Sequence, residues 1–356
     1  MMLFGKRLGQ IQAGLVGLDI GSSAVKLVGL NKSSKGWAAS TAAYALIESS
    51  QDQSLRDENT VRAIHKCFHD AGTTGPRNAV CSISGPDVAV RGFSFPSLPD
   101  EAIEQAVKLE AQQLSALDPN HSVVDYQLLQ DADLPVEPAQ QGRKGYLVIG
   151  LEEAIQRKIR TAQQAQVKTV LMDVSSLAIL NCLGQLPDNQ GADTFAALDV
   201  GYTISTLTIL GKDGVPFVRN LSGTAQQILT MISVKTQTSV AEVRKNLSQD
   251  NTSCDRTLEV ELKNACGKLI GDVLETLRFY SLQPNTERVC RLYLCGGFAL
   301  YQPFVRLMQQ TLPTPVRVFN PLEVISCPSD NQTRKTLEQF GPAMSVAVGL
   351  AMRSIQ

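Results

Sequence analysis

An α/β fold built from two duplicated lobes is predicted by three stretches of the chain. The first, Gly17-Leu18-Asp19-Ile20-Gly21-Ser22-Ser23-Ala24-Val25-Lys26-Leu27-Val28, reads as two short apolar strands joined by a tight turn. The second, Leu198-Asp199-Val200-Gly201-Tyr202-Thr203, repeats that pattern in register 180 positions later and continues to Leu207, where the first copy has Leu27. The third, Leu292-Tyr293-Leu294-Cys295-Gly296-Gly297-Phe298, is a strand running into a glycine pair. A turn of the first kind suits a phosphate. Gly21 lets backbone N–H groups approach phosphate oxygens, and Ser22 and Ser23 add donors. Asp19 can hold a magnesium ion through water, and Lys26 can neutralise the phosphate chain. Two such turns suggest two half-molecules facing one nucleotide.

The remaining elements follow in order. A turn cluster at 31–36 precedes a third, Ala-rich strand at 37–46. Val61, Ile64 and Phe68 mark a helix over 58–71, stopped by the turn at 72–76, and strands at 78–84 and 88–95 flank Gly85-Pro86. Pro99, Asp100 and Glu101 then open a helix whose apolar stripe is Ile103, Val107 and Leu114. Strands at 123–130 and 146–151 and a helix over 152–165 complete a unit read as an insertion over 96–168, with a polar, proline-containing surface loop at 131–145. An apolar strand at 168–174 and a helix at 175–186 lead back to the first lobe and across to the second. Asp173 ends that strand as Asp19 ends the first; it either faces the cleft near magnesium and the attacking water or stabilises the following helix through its dipole.

In the second half, a strand at 216–220 precedes a helix capped by Ser222-Gly223-Thr224. Glu242 and Lys245 share a helical face, a long helix covers 257–283, and strands follow at 289–294 and 316–319. Gly341-Pro342 is predicted to start a last helix with Ala343, Ala347 and Ala351 on one stripe.

Composition narrows the function classes. Lys and Arg total 33 against 34 Asp and Glu, so overall charge gives no call for nucleic acid or an anionic membrane. The eight cysteines form no C-x-x-C pair and read as reduced core residues. Of the three histidines, His65 and His69 are spaced to share a metal, but Lys66 and Asp70 beside them favour a solvated face. No apolar run is long enough to span a membrane, and residues 1–13 lack a secretory signal, so a cytoplasmic protein is expected. Leu3, Phe4, Leu8 and Ile11 would allow a short amphipathic helix in that leader; a loosely ordered segment is the plainer reading.

The paired Asp-Gly hairpins and the late strand-Gly-Gly turn are similar to the phosphate and adenosine motifs of the actin, Hsp70 and sugar-kinase superfamily, with Asp19 and Lys26 spaced in the actin-like pattern. Within it the chain resembles the PilM family, FtsA-like proteins of type IV pilus assembly. Further matching pieces are Leu98-Pro99-Asp100-Glu101-Ala102-Ile103, Lys108-Leu109-Glu110-Ala111-Gln112-Gln113, Val124-Asp125-Tyr126-Gln127, Asn320-Pro321-Leu322 and Ala347-Val348-Gly349-Leu350-Ala351. The resemblance implies an actin-like ATPase fold: two duplicated RNase H-like lobes around a nucleotide cleft, with an FtsA/PilM-type inserted subdomain. The expected division is a leader at 1–13, a first lobe at 14–95 and 169–193, the insertion at 96–168, a second lobe at 194–340, and a hinge-like helix at 341–356.

It also implies a ligand set, Mg-ATP. Asp19 and Asp199 would lie at the metal, with Gly21, Ser22, Ser23, Lys26, Gly201 and Thr203 on the phosphates and Gly296, Gly297 and Phe298 beside adenosine. In Hsp70-like members an E-x-x-K touches ribose and adenine; Glu242 and Lys245 fit that role or an exposed ion pair equally well. The implied partner is the cytoplasmic tail of PilN, a membrane protein, docked beside the insertion, with a PilO-containing complex and pilus motor ATPases beyond it. Self-association is a further option, and the implied location is the cytoplasmic side of the inner membrane. Ile103, Val107, Leu114 and Tyr126 would line the docking groove or form the insertion's own core.

Some departures bear on turnover. Tyr202 and Thr203 stand where actin and Hsp70 have a further glycine and adjacent threonines, and no residue is identifiable that orients an attacking water. ATP binding with slow or absent hydrolysis is therefore expected. A small-molecule kinase would need a base at its acceptor, and none is evident. An FtsA-like filament or division protein would be expected to carry a membrane-targeting helix after the last element, where this chain stops at Gln356. A nicotinamide site fits poorly, because no G-x-G-x-x-G follows a strand.

Overall fold

The computed structural model describes residues 15–34, 36–73, 75, 77–96, 98–114, 117–129, 142–189, 193–249, 256–284, 286–328 and 331–353. The leader at 1–13 and most of the surface loop at 131–145 lie outside the described residues.

The chain opens with β1 (Leu15–Ile20), β2 (Ala24–Ser33), β3 (Gly36–Leu46), α1 (Gln53–Asp70) and β4 (Asn78–Ile83). It continues through β5 (Val88–Phe95), α2 (Asp100–Leu114), β6 (Ser122–Leu128), β7 (Arg143–Leu151), α3 (Glu152–Gln164), β8 (Lys168–Val174) and α4 (Ser175–Leu183). The second half holds β9 (Phe195–Val200), β10 (Ser205–Leu210), β11 (Pro216–Leu221), α5 (Ala225–Thr236), α6 (Val240–Ser248) and α7 (Arg256–Ser281). It ends with β12 (Arg291–Cys295), α8 (Gln302–Thr311), β13 (Val316–Val318), β14 (Ile325–Ser326) and α9 (Asn331–Arg353).

The duplication is visible in the sheets. One sheet has the order β14-β3-β2-β1-β4-β8 and the other β11-β10-β9-β12-β13. In each, an antiparallel three-strand meander passes into two parallel strands, β4 and β8 or β12 and β13. Each sheet has its own apolar cluster, built around Leu18, Leu27 and Ile64 in the first and Leu198, Leu207 and Leu292 in the second.

Local chemistry accounts for most element boundaries. α1 starts five residues before the predicted 58, because Asp52 Oδ1 accepts from the backbone N–H of Ser54 at 2.7 Å and Leu55 at 3.2 Å. α5 opens on a capping box between Thr224 and Gln227. β2 runs on to Ser33 through the predicted turn cluster at 31–36, since Asn31, Lys32 and Ser33 pair with Ala38, Trp37 and Gly36.

A third sheet, β5-β7-β6, carries the insertion. Its membership differs from the sequence reading on both flanks. β5 pairs with β7 over its whole length, from Val88 against Gly150 to Phe95 against Arg143. That strand is apolar on both faces: Phe93 joins the cluster under α2, and Val90 joins the first core. α3 belongs to the first core through Ile155 and Ala162. By pairing, β5 therefore goes with β7 and β6, and by packing α3 goes with the first core.

α9 begins at Asn331, ten residues before the predicted start, and Pro342 lies inside it. A proline inside a helix removes one backbone donor and crowds the preceding turn. Burial on both sides of Pro342 outweighs this, with Leu337, Met344, Ala347, Val348 and Leu350 all fully enclosed. The helix also approaches its neighbours backbone to backbone. A Cβ on Gly17 of β1 would lie 2.1 Å from the Ala347 carbonyl oxygen, and one on Gly349 would lie 1.8 Å from that of Ala178 in α4. Among the described residues, no helix is long and apolar enough to cross a membrane.

Gly349→Ala should therefore force α9 and α4 apart, costing at least ~3 kcal/mol of folding stability as an overpacked core substitution. Urea denaturation measures it; a loss within ~0.5 kcal/mol would show that the two helices separate freely.

Candidate functional site

The two Asp-Gly turns meet at one point. Thr203 Oγ1 donates to Ser22 Oγ at 2.9 Å, joining hydroxyls 181 residues apart. Each turn is closed in the same way, Gly21 N to Ala24 O at 3.1 Å and Gly201 N to Ile204 O at 2.9 Å. Both glycines are tight: a Cβ would come within 2.9 Å of Ala24 O and of Lys26 Nζ at Gly21, and within 2.6 Å of Ile204 O at Gly201. These are cradles that a side chain would fill.

Sheet register sets what each turn presents. Asp19, Lys26 and Tyr44 are cross-strand partners on β1, β2 and β3, so they form one row on one face of the first sheet. Lys26 Nζ lies 2.9 Å from Asp19 Oδ2, each side chain 14% exposed. Burial opposes the Lys26 charge, but Asp19 outweighs it with help from Asp199, and the ammonium is held above its ordinary value. The same row in the second sheet reads Asp199, Thr206 and Asn220, with Thr206 Oγ1 bonded to Asn220 Oδ1 at 3.2 Å. The duplicate thus keeps the acid and lacks the lysine.

Asp199 is the strained member. Burial, reinforced by the Asp19 charge, pushes its carboxyl up to about 6 against the pull of Lys26. Gly296, at φ +86°, lets the β12 turn approach it; a Cβ there would lie 2.4 Å from Asp199 Oδ1. Gly296 N also donates to Pro342 O at 2.9 Å, which ties this turn to α9. Gly297 is exposed, with open space where a Cβ would be.

Other sequence-derived candidates are placed differently. Phe298 is 1% exposed, packed edge-on against Tyr301 and Phe304 in the second core, so its ring does not border the cleft. Glu242 serves α6 as a cap: its Oε2 accepts from Ser239 N at 2.9 Å and Ser239 Oγ at 2.8 Å, and those bonds hold its carboxyl below the usual range. Lys245 is exposed on the same helix. Between them, Arg244 places its guanidinium 5.0 Å over the Tyr202 ring, with a buried Nε that has no hydrogen-bond partner. Its charge also reaches Tyr44 and Tyr301. Sequence reading missed Arg244, although the Ser239–Glu242 capping box was there to show that Glu242 was already engaged.

Asp173 does not reach the cleft. It is fully buried, accepting Val174 N at 2.7 Å and Arg353 Nε at 2.9 Å. Ile103 and Val107 are buried beneath α2 with Phe93 and Leu147, as core and not as groove; Tyr126 packs edge-on against Phe93 from the same side. Of Leu114, the structure gives the helical position alone. His65 receives a hydrogen bond from Arg77 at 2.9 Å, and no group of three or more metal-ligating side chains occurs among the described residues. A divalent ion here would have two carboxylates and the anion it accompanies. Asp19 and Asp199 lie close enough to act on each other electrostatically, and the two turns beside them are cradles that a Cβ would fill, which is compatible with such an arrangement.

One element was absent from the sequence reading. Lys158 of α3 donates to the carbonyl oxygen of Ile20, directly under the first turn.

The Asp199 shift has a definite sign. Its folded value near 6 exceeds the ordinary 3.8, so between those values the folded chain holds a proton that the unfolded chain has lost. This group's contribution therefore falls as pH rises through that window. Asp199→Asn should remove the dependence and raise stability at neutral pH by roughly 1–3 kcal/mol. Urea denaturation from acid to neutral pH tests this; parallel curves for the two proteins would refute it.

Comparison with known proteins agrees with this architecture. The PilM–PilN type IV pilus biogenesis complex contains a chain of TM-score 0.81 and 22% identity, the match covering 97% of this chain and 99% of that one. Ethanolamine utilization protein EutJ from Carboxydothermus hydrogenoformans matches at TM-score 0.55 and 12% identity, over 95% of this chain and 88% of that one. The diol dehydratase-reactivating factor in nucleotide-free form matches at 0.53 and 9%, over 95% and 99%. The fold is that of the actin-like ATPases. Residues 17–355 match the model of the type IV pilus assembly protein PilM family, and the chain belongs to that family.

Proposed function

We propose that this chain binds Mg-ATP in the cleft and acts as a cytoplasmic adapter of type IV pilus assembly that takes the tail of a PilN-like membrane protein. The observation that carries the nucleotide reading is the meeting of two acid-glycine turns at the Ser22–Thr203 contact. In this reading Asp19 and Asp199 hold magnesium through water, and the ion offsets the burial and the Asp19 charge that together raise Asp199. Lys26 turns its ammonium to the phosphates, which the N–H and hydroxyl groups of Gly21, Ser22, Ser23, Gly201 and Thr203 surround. The Ser22–Thr203 bond gives way to bonds with the anion. Gly296 and Gly297 offer backbone to adenosine, and Arg244 and Tyr202 border it.

The partner reading rests on family membership together with the likeness to the PilM–PilN complex. The surface assigned to the tail is the seam between the inserted sheet and the first lobe, where Asp125, Tyr146 and Arg353 lie within electrostatic reach of each other. Contact through PilN would bring the protein to the inner membrane, and PilO and the motor ATPases would follow in the same assembly. Slow or absent hydrolysis fits the engagement of Asp173 with Arg353, which removes one candidate for orienting water. In this reading the domain division would follow the sheets: a first lobe of β1 to β4 with α3, β8, α4 and the returning β14, an insertion of β5 to β7, and a second lobe of β9 to β13, joined back by α9.

Calorimetric titration with ATP, with and without magnesium, and with a peptide copying the tail of the same organism's PilN-like protein tests both parts. Magnesium-dependent ATP binding and peptide binding are expected. Failure of ATP to bind would refute the nucleotide site, and failure of the peptide in both nucleotide states would refute the adapter role.

A further inference from the structure

Lys158 is a cation of the cradle that the ligand set above leaves unused. It projects from α3 to the carbonyl of Ile20, the residue between Asp19 and the turn glycine. Lys26 reaches the same turn from β2 and is engaged by a carboxylate at 2.9 Å. Lys158 has a backbone carbonyl instead, which satisfies one of its three N–H donors. Its surroundings agree with a site for an anion. Burial and the Lys26 charge push its ammonium below the ordinary value, while Asp19, Cys81 and Asp87 pull the other way.

Charge and position then narrow its role. Asp19 and Asp199 against Lys26 alone leave the cradle net negative, and a magnesium-bound triphosphate is itself an anion. A second ammonium balances the two carboxylates. α3 packs on β4 and β8, so Lys158 enters on the side of β1 opposite to β2 and Lys26. The glycine turn assigned to adenosine belongs to the other sheet. If a nucleotide runs from that turn across Asp19, its last phosphate would fall on the Lys158 side.

We propose that Lys158 contacts the terminal phosphate and so distinguishes a nucleoside triphosphate from the diphosphate, an inference that rests on the nucleotide reading above.

Titration of the full chain with ATP, ADP and adenosine in magnesium tests it on the parent, Lys158→Gln and Lys158→Met. Gln keeps an N–H donor on a side chain one bond shorter and removes the charge, whereas Met, at a similar length, removes both donor and charge. Loss of a charge-assisted bond predicts about tenfold or more weaker ATP binding in both variants, with ADP changed less than about threefold and adenosine unchanged. Equal losses for ATP and ADP, or no loss for either, would overturn the assignment. A parallel loss of adenosine binding by Lys158→Gln would overturn it too, by giving Lys158 a purely structural task. If the parent itself binds no ATP, the nucleotide reading fails first, and the parent titration alone shows that.

Discussion

Backbone contact between α9 and its two neighbours is the constraint on which the arrangement of the site depends. At Gly17 and Gly349 there is no side chain to yield, because the carbonyls of Ala347 and Ala178 occupy the space where Cβ atoms would be. β1 is therefore fixed against α9, and β1 delivers Asp19 and the first turn. The same helix, through the Pro342 carbonyl, accepts the Gly296 N–H and so holds the late glycine turn of the second sheet. Two glycine turns from different halves of the chain hang on one helix. A close-packed interior does not absorb such contacts gradually, so a shift of α9 is felt at both turns.

Electrostatics then makes the duplicated halves unequal. The row Asp19, Lys26, Tyr44 carries its own counter-charge, whereas Asp199, Thr206, Asn220 does not. The unpaired acid is the one whose carboxyl rises to about 6. Neutralisation comes from the first sheet and from α3, so a metal-bound anion would be gripped mainly from one side. The Asp173–Arg353 pair shows the contrasting case. There a fully buried carboxylate meets a guanidinium at 2.9 Å, its electrostatic demand already met, and nothing remains for chemistry in the cleft.

What could be read from the sequence was what neighbouring residues decide. The two hairpins, the glycine turns and their acids are local patterns, and the observed registers of β1 with β2 and of β9 with β10 follow from them. Pairings between distant segments were less legible. β5 follows β4 in the chain and reads as its continuation, yet its partner is β7, some 50 residues on. Pro342 reads as a helix start, since local propensity carries no information about the burial that holds α9 together across it. Apolar stripes were ambiguous for a related reason: Ile103 and Val107 look the same facing a groove or a core, and they face the core. Lys158 and Arg244 had no pattern to mark them, because their proximity to the turns is created only when α3 and α6 are folded against the sheets.

The placement of the inserted sheet bears on how the proposed nucleotide site and partner seam would influence each other. β7 ends at Leu151 and α3 starts at Glu152, so the sheet is joined without a linker to the helix that carries Lys158. It also touches the second lobe, where Gly92 leaves room for Val215 and Lys144 Nζ lies 3.1 Å from Asp213 Oδ2. Closing or opening the lobes must break this second contact or tilt the inserted sheet. The ion pair is more than a third exposed on both sides, which limits it to about 1 kcal/mol at most. Energy of that size corresponds to about a fivefold change in affinity. The ion pair alone would therefore support only a modest, graded coupling between a nucleotide and a partner; a stronger one would have to use the packing of β5 on β11, with Gly92 against Val215, or α3, which packs against β4 and β8 in the first core.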